Sequence, residues 1–155
     1  MLTGPSKALD VALRRAGEET VRRGDRRVGT DHLLLGLLHD RDVAETLGVD
    51  VERARAAARD LDQAALAAIG VDLGEDLPSA PTRVRFGHVP LTSAARAAIG
   101  RSGAIADAER MRRIEPQHLL AALREGEEPD PAAVLLAALG AGRAGSGPGR
   151  APHRA

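Results

Sequence analysis

The sequence predicts an all-α fold built from two related helical units. One pattern occurs twice at a constant offset of 86 residues, so that Ser6 aligns with Thr92 and His32 with His118. Within each copy, apolar residues recur at steps of three and four, which is typical of amphipathic helices. No stretch alternates apolar and polar residues in the manner of a half-buried strand.

The first unit is predicted to contain four helices. Ser6 can accept a hydrogen bond from the free N–H groups of a first helical turn, and Gly24 suits the left-handed residue that follows a helix. A second helix, with Thr30 as its predicted cap, runs to about residue 40 and carries leucines on nearly all sides, so we expect it in the interior. A short helix at 43–47 and a long amphipathic helix at 51–69 follow.

The second unit repeats this order but is shorter. A helix from Thr92 to about residue 110 precedes a helix that begins near Pro116, where the missing N–H costs nothing. A helix at 131–139, stopped by Gly140, comes last, and the long fourth helix has no counterpart. We therefore predict units at 1–70 and 91–141, a linker at 71–90 and a disordered tail at 142–155.

Composition excludes several classes of function. The 155 residues include 22 Lys and Arg against 22 Asp and Glu, and a neutral chain argues against phosphate-backbone binding. No Cys is present, which removes disulfides, Cys-based zinc sites and thiol catalysis. Neither a membrane span nor a signal segment is evident, so the sequence predicts a soluble, cytoplasmic protein without membrane partners.

Three motifs resemble a known family. Residues 28–38, Val-Gly-Thr-Asp-His-Leu-Leu-Leu-Gly-Leu-Leu, closely resemble the [YI]-G-T-E-H-L-L-L-G-L-L segment of the Clp N-terminal domain, the double-repeat domain of the ClpA, ClpB and ClpC unfoldases. Residues 114–120 resemble a degraded second copy, and 87–92, Gly-His-Val-Pro-Leu-Thr, resemble the G-H-I-P-F-T segment of the ClpC branch. The resemblance covers roughly residues 2–141. It implies two pseudo-symmetric four-helix-type Clp repeats packed into one domain, with the second repeat truncated.

The resemblance also implies a function. Clp N-terminal domains bind adaptor or substrate proteins for an ATPase ring, but this sequence lacks the G-x-x-x-x-G-K-[ST] loop that binds ATP. It therefore resembles a stand-alone N-domain protein: a non-enzymatic module, without cofactors, that binds Clp unfoldase or protease components, adaptors, substrates or peptides. One alternative is a decoy that sequesters cyclic peptide antibiotics directed at Clp.

Two ligand sites follow from the resemblance. Some ClpC relatives bind phosphoarginine with a hydroxyl at a helix start and the Glu of each T-E-H, which implies Ser6 with Asp31 and Thr92 with Gln117. Asp31 keeps the charge but is one methylene shorter, whereas Gln117 is uncharged and presents an NH₂ donor to the guanidinium. Relatives that bind cyclic peptides carry Phe at two positions that are Leu2 and Leu91 here, so apolar area remains without an aromatic ring.

Other side-chain groups carry less information. We interpret His32 and His118 as structural, Glu18-Glu19 and Glu127-Glu128 as solvated pairs, and find neither catalytic residues nor a metal set. Two basic loops occupy equivalent positions, and a DNA-binding regulator that uses them is a further alternative. Their residues are Arg22, Arg23, Arg26, Arg27, Arg110, Arg112 and Arg113.

Overall fold

The structure, a computed structural model, describes residues 2–70 and 89–141, which form seven α-helices. The all-α prediction, with four helices followed by three, is confirmed. Of the predicted linker, only Val89 and Pro90 are described, and the predicted tail at 142–155 lies outside the described residues. The helices are α1 (Lys7–Arg22), α2 (Thr30–Leu37), α3 (Arg41–Leu47), α4 (Val51–Ala68), α5 (Ser93–Ala108), α6 (Pro116–Arg124) and α7 (Pro131–Ala138).

The first helix of each unit begins as the sequence predicts. The Ser6 hydroxyl accepts from the backbone N–H of Leu9 at 3.1 Å, and the Thr92 hydroxyl accepts from that of Ala95 at 3.1 Å. Both hydroxyls therefore satisfy a donor that has no partner within its own helix. In the described part of the chain, no helix is both long and apolar enough to span a bilayer.

The two helices also end alike, although their sequences differ. Gly24 has φ 73° and Arg110, the equivalent residue, has φ 57°. At each end the residue that follows donates to a carbonyl five residues back: Asp25 N–H to Thr20 O at 3.0 Å, and Met111 N–H to Ala106 O at 2.9 Å. This is the Schellman arrangement, whose left-handed residue is usually glycine. The second unit thus carries Arg at a left-handed position, where glycine would have the smallest steric penalty.

The predicted cap of α2 is wrong. Gly29 is the N-cap, and Thr30 is already the first helical residue. The Thr30 hydroxyl instead accepts from the backbone N–H of Ala132 at 3.1 Å and donates to the Asp130 carboxylate at 3.0 Å. Asp130 is itself the N-cap of α7, so Thr30 links the start of α2 to the start of α7. A contact between residues 100 positions apart left no local signal in the sequence.

Backbone pairing joins the two units reciprocally. Ser6 N–H donates to Ile114 O at 2.9 Å, and the equivalent Thr92 N–H donates to Val28 O at 3.0 Å. A second bond in each pair, at 3.0 and 2.8 Å, runs back in the other direction. The helices show the same exchange, since α7 packs against α2 and α3 against α6. The units are therefore related by a pseudo-two-fold axis, and each holds the segment that leads into the other's first helix.

Helix α2 lies at the centre of the core, as its leucines predict. Seven of its eight residues are buried, and it packs against α1, α4, α5, α6 and α7. At Gly36 the backbone of α1 comes so close that a Cβ would lie 2.6 Å from Ala16 N and 2.9 Å from Ala16 Cα. Only glycine fits this crossing without moving one helix away from the other.

A buried ion pair fastens α4 to α1, and it corrects one prediction. Glu19, interpreted from the sequence as solvated, is only 2% exposed. Arg55 of α4 donates to its carboxylate through Nε at 3.0 Å and also through Nη2, and His39 Nε2 lies 3.0 Å from it. Burial would raise the pKa of Glu19, but the hydrogen bonds from Arg55 and His39 outweigh it and hold that pKa below its ordinary value.

Candidate functional site

The residues that the resemblance assigns to ligand binding lie in two groups. Ser6 is buried and its backbone pairs with Ile114, three residues before Gln117, which is exposed on the first turn of α6. Thr92 is half-buried and pairs with Val28, three residues before the half-buried Asp31. The backbone therefore places each capping hydroxyl beside the second helix of the opposite unit.

The structure does not bring Ser6 and Asp31 together as one site. Ser6 caps the start of α1, whereas Asp31 binds Arg23, which directly follows the end of α1. A helix of 16 residues is about 24 Å long, which is far beyond the size of one phosphorylated guanidinium. Thr92 and Gln117 are separated in the same way, because His118, next to Gln117, binds Glu109 just after the end of α5.

The apolar pair of the predicted cyclic-peptide surface is partly accessible. Leu2 and Leu91 are both half-buried. Leu91 forms a parallel bridge with Val28, and Leu2 precedes Thr3, whose backbone N–H donates to Arg112 O at 2.8 Å. Both leucines thus lie on segments that the opposite unit holds in place, and each contributes some apolar surface.

Asp31 already has a guanidinium partner from its own chain. Arg23 donates through Nη1 to Asp31 at 2.6 Å and through Nη2 to Asp62 of α4 at 2.7 Å, while its Nε lies 3.7 Å from Asp25. Burial would lower the pKa of Arg23, but the hydrogen bonds to Asp31 and Asp62 outweigh it and raise that pKa. Arg23, one of the residues of the predicted basic patch, is thus committed to three carboxylates.

Three other arginines of the predicted patch lie at two separate places. Arg22 lies at the end of α1, whereas Arg112 and Arg113 lie against the segment that leads into α1. Arg113 donates through Nη1 to Pro5 O at 3.3 Å. In the described part of the chain, Arg22 therefore lies at the end of α1, and Arg112 and Arg113 lie near its start.

A groove lies beside Arg23 and its carboxylate partners, between α4 and α7, and encloses about 200 Å³. Apolar side chains from both helices and from Pro129, just before α7, form its walls, and Arg23, Asp31 and Asp62 line its polar end. Of the residues that line this groove, Arg23 and Asp31 were predicted from the sequence and the others were not. The apolar walls are formed by Ala58, Leu61, Pro129, Pro131, Val134 and Leu135.

The two equivalent histidines have structural contacts, in keeping with their interpretation. His32 Nδ1 accepts from Gly29 N–H at 2.9 Å, so its Nε2 carries the proton and donates to Asp25 at 2.7 Å. His118 repeats this with Glu115 N–H at 2.8 Å and Glu109 at 2.9 Å. Within residues 2–70 and 89–141, no group of three or more potential ligands is placed to hold a metal ion.

The helix order, the reciprocal pairing and the central α2 define the fold of a Clp N-terminal domain. A solved structure with this fold is the N-terminal domain of the caseinolytic protease associated chaperone ClpD from Arabidopsis thaliana. The two chains superpose with a TM-score of 0.67 at 21% sequence identity, over 88% of this chain and 85% of that one. No protein-family model matches the sequence, and no curated protein does. The resemblance seen in the sequence is confirmed at the level of the fold.

Proposed function

We propose that this protein is a non-enzymatic binding module that recognises a protein or peptide and acts as an accessory to a cytoplasmic Clp ATP-dependent protease. The observation that carries the proposal is the Clp N-terminal-domain fold across 88% of the chain. The open groove between α4 and α7 adds a surface on which a peptide segment could bind. In this proposal the two units of the sequence, 1–70 and 91–141, act together as one recognition head.

The test is a reconstituted degradation assay. A purified Clp unfoldase and its peptidase would degrade an unfolded substrate with and without an excess of this chain, and binding to the unfoldase, its adaptor and the substrate would be measured separately. We expect binding to at least one component and a change in the degradation rate. The absence of both, with the folded chain at high micromolar concentration and mild salt, would contradict the proposal.

A second candidate is the decoy function, in which the chain sequesters cyclic peptides directed at Clp. It is supported by the partly accessible apolar side chains of Leu2 and Leu91. Calorimetry with such a peptide should give measurable heat in the native chain and less heat after Leu91→Ser. If neither chain gives any heat, the decoy function is excluded and the accessory function is unaffected.

A further inference from the structure

We propose that the groove between α4 and α7 binds one unmodified basic side chain, Arg or Lys, of an extended peptide. This inference rests on the proposed peptide-binding function and names the class of residue that the module selects. It depends on three properties of the groove, namely its size, its apolar walls and the excess of negative charge at its polar end.

The size of the groove suits a single side chain. Pockets that take a whole small-molecule ligand have volumes of about 300–1,000 Å³. This groove encloses about 200 Å³, and its walls are proline rings and aliphatic side chains. Such walls pack well against the methylene stem of a Lys or Arg side chain, which buries its stem and keeps its charged end in a polar environment.

The charge at the polar end favours a cation. Asp31 and Asp62 line the groove with a single positive partner, Arg23, and Asp25 lies 3.7 Å from the same guanidinium. One guanidinium therefore faces three carboxylates, so the polar end of the groove carries an excess of negative charge. Asp62 accepts from Arg23 at Oδ2, and its side chain remains 57% exposed, so it is accessible to an incoming donor.

The same charges disfavour a phosphorylated arginine. A phosphoryl group would approach the carboxylates of Asp31 and Asp62, and like charges repel. The one cation that lines the groove, Arg23, already pairs with both carboxylates, so its charge does little to attract a phosphoryl group. Phosphorylation of the ligand should therefore weaken binding at this groove, which is the opposite of the preference that the resemblance implies.

The test uses the whole chain labelled with ¹⁵N and titrated with four short Gly-Ser peptides. They carry a central Ala-X-Ala, where X is Arg, Lys, citrulline or phosphoarginine. Citrulline matches the shape of Arg without its charge. We expect the Arg and Lys peptides to shift the amide signals of Leu61, Asp62 and Val134, and to bind at least about fivefold more tightly than the citrulline and phosphoarginine peptides.

Two variants locate the site. Asp62→Asn should weaken binding of the Arg peptide by about fivefold or more, whereas Asp60→Asn, which removes an exposed carboxylate of the same helix, should leave it unchanged. Since Asp62 also binds Arg23, circular dichroism must show that Asp62→Asn is folded. Val134→Arg is a second variant, which should also weaken binding of the Arg peptide because it places a cation in the groove.

The outcomes separate the two proposals. Equal binding of the Arg and citrulline peptides, tighter binding of the phosphoarginine peptide, or shifts confined to residues outside the groove would overturn the basic-residue inference. In each of these cases the proposed accessory function would survive. If no peptide binds, the groove inference fails, and the degradation assay alone decides whether the accessory function fails with it.

Discussion

The buried contact between Glu19 and Arg55 makes the most demanding prediction about stability. In Arg55→Met the Glu19 carboxylate, 2% exposed, keeps His39 as its remaining side-chain partner. Removing one partner of a buried ion pair lowers the free energy of unfolding by about 3–5 kcal/mol, because the other charge stays buried without its partner. We expect a loss near the lower end, about 3 kcal/mol, because His39 still donates a hydrogen bond.

The cost has a clear structural origin. Glu19 lies on α1, and Arg55 brings α4 against it over a separation of 36 residues. Ala54 and Ala58 of α4 are buried, and Val51, Ala57 and Leu61 are partly buried against the core, so the ion pair adds to a modest apolar contact. The hydrogen bond to Glu19 raises the pKa of Arg55 despite its burial, so both partners of the pair are charged at neutral pH. Losing Arg55 should therefore loosen α4 as well as destabilise the fold.

The assay is urea unfolding followed by far-ultraviolet circular dichroism, since the chain has neither Trp nor Tyr for fluorescence. Arg55→Met should lower the midpoint of thermal unfolding by about 6–12 °C. The double variant Glu19→Leu with Arg55→Met should recover to within about 1 kcal/mol of the native chain, because no buried charge is left. A single variant that loses less than about 1 kcal/mol, or a double variant as unstable as the single one, would refute the reasoning.

Three further predictions follow from the structure. The pKa of Glu19 is lower in the folded chain, so the ionised carboxylate stabilises the fold fully above the ordinary Glu pKa of about 4.3, and this contribution is lost as the pH falls through the folded-state pKa. The difference in unfolding free energy between the native chain and Glu19→Gln should therefore narrow on acidification. A difference independent of pH would contradict this. Gly36→Ala should destabilise by about 2 kcal/mol or more, since its Cβ would meet the α1 backbone, whereas Gly17→Ala, with nothing within 4 Å, should stabilise by about 0.5–1 kcal/mol in the same urea assay; equal effects would refute the close approach. Arg110→Gly should stabilise by about 1 kcal/mol and Gly24→Ala should destabilise by a similar amount, because both positions are left-handed, and calorimetric midpoints that move in the other direction would contradict that assignment.

The helices of this protein could be predicted from the sequence because their signals are local. Ser6 and Thr92 cap helices through N–H groups three residues away, and Gly48 ends α3 in the left-handed region. The leucines of α2 predicted its burial, since a helix that is apolar all round has no face for solvent. The repeat at a constant offset and the family motif then gave the architecture that the described residues adopt.

The candidate site could be predicted only in part. Asp31 was found through the family motif, but its partner Arg23 was assigned to a basic patch, and Asp62 was not singled out at all. The apolar walls of the groove come from α4, α7 and Pro129 just before α7, and these segments are separated by the predicted linker and two helices. No spacing within either segment indicates that they meet.

The sequence by itself determined the fold class, the helix order and the capping hydroxyls of α1 and α5, because each depends on residues within a few positions of one another. Tertiary structure decided which charged side chains are buried and which form ion pairs with distant residues. Glu19 and Arg23 each stand in a run of charged residues that looks solvated, yet Arg55 and Asp62 of α4 reach them over 36 and 39 residues. Burial and pairing of a charge depend on the approach of distant helices, and that approach is set by packing around α2 rather than by local pattern.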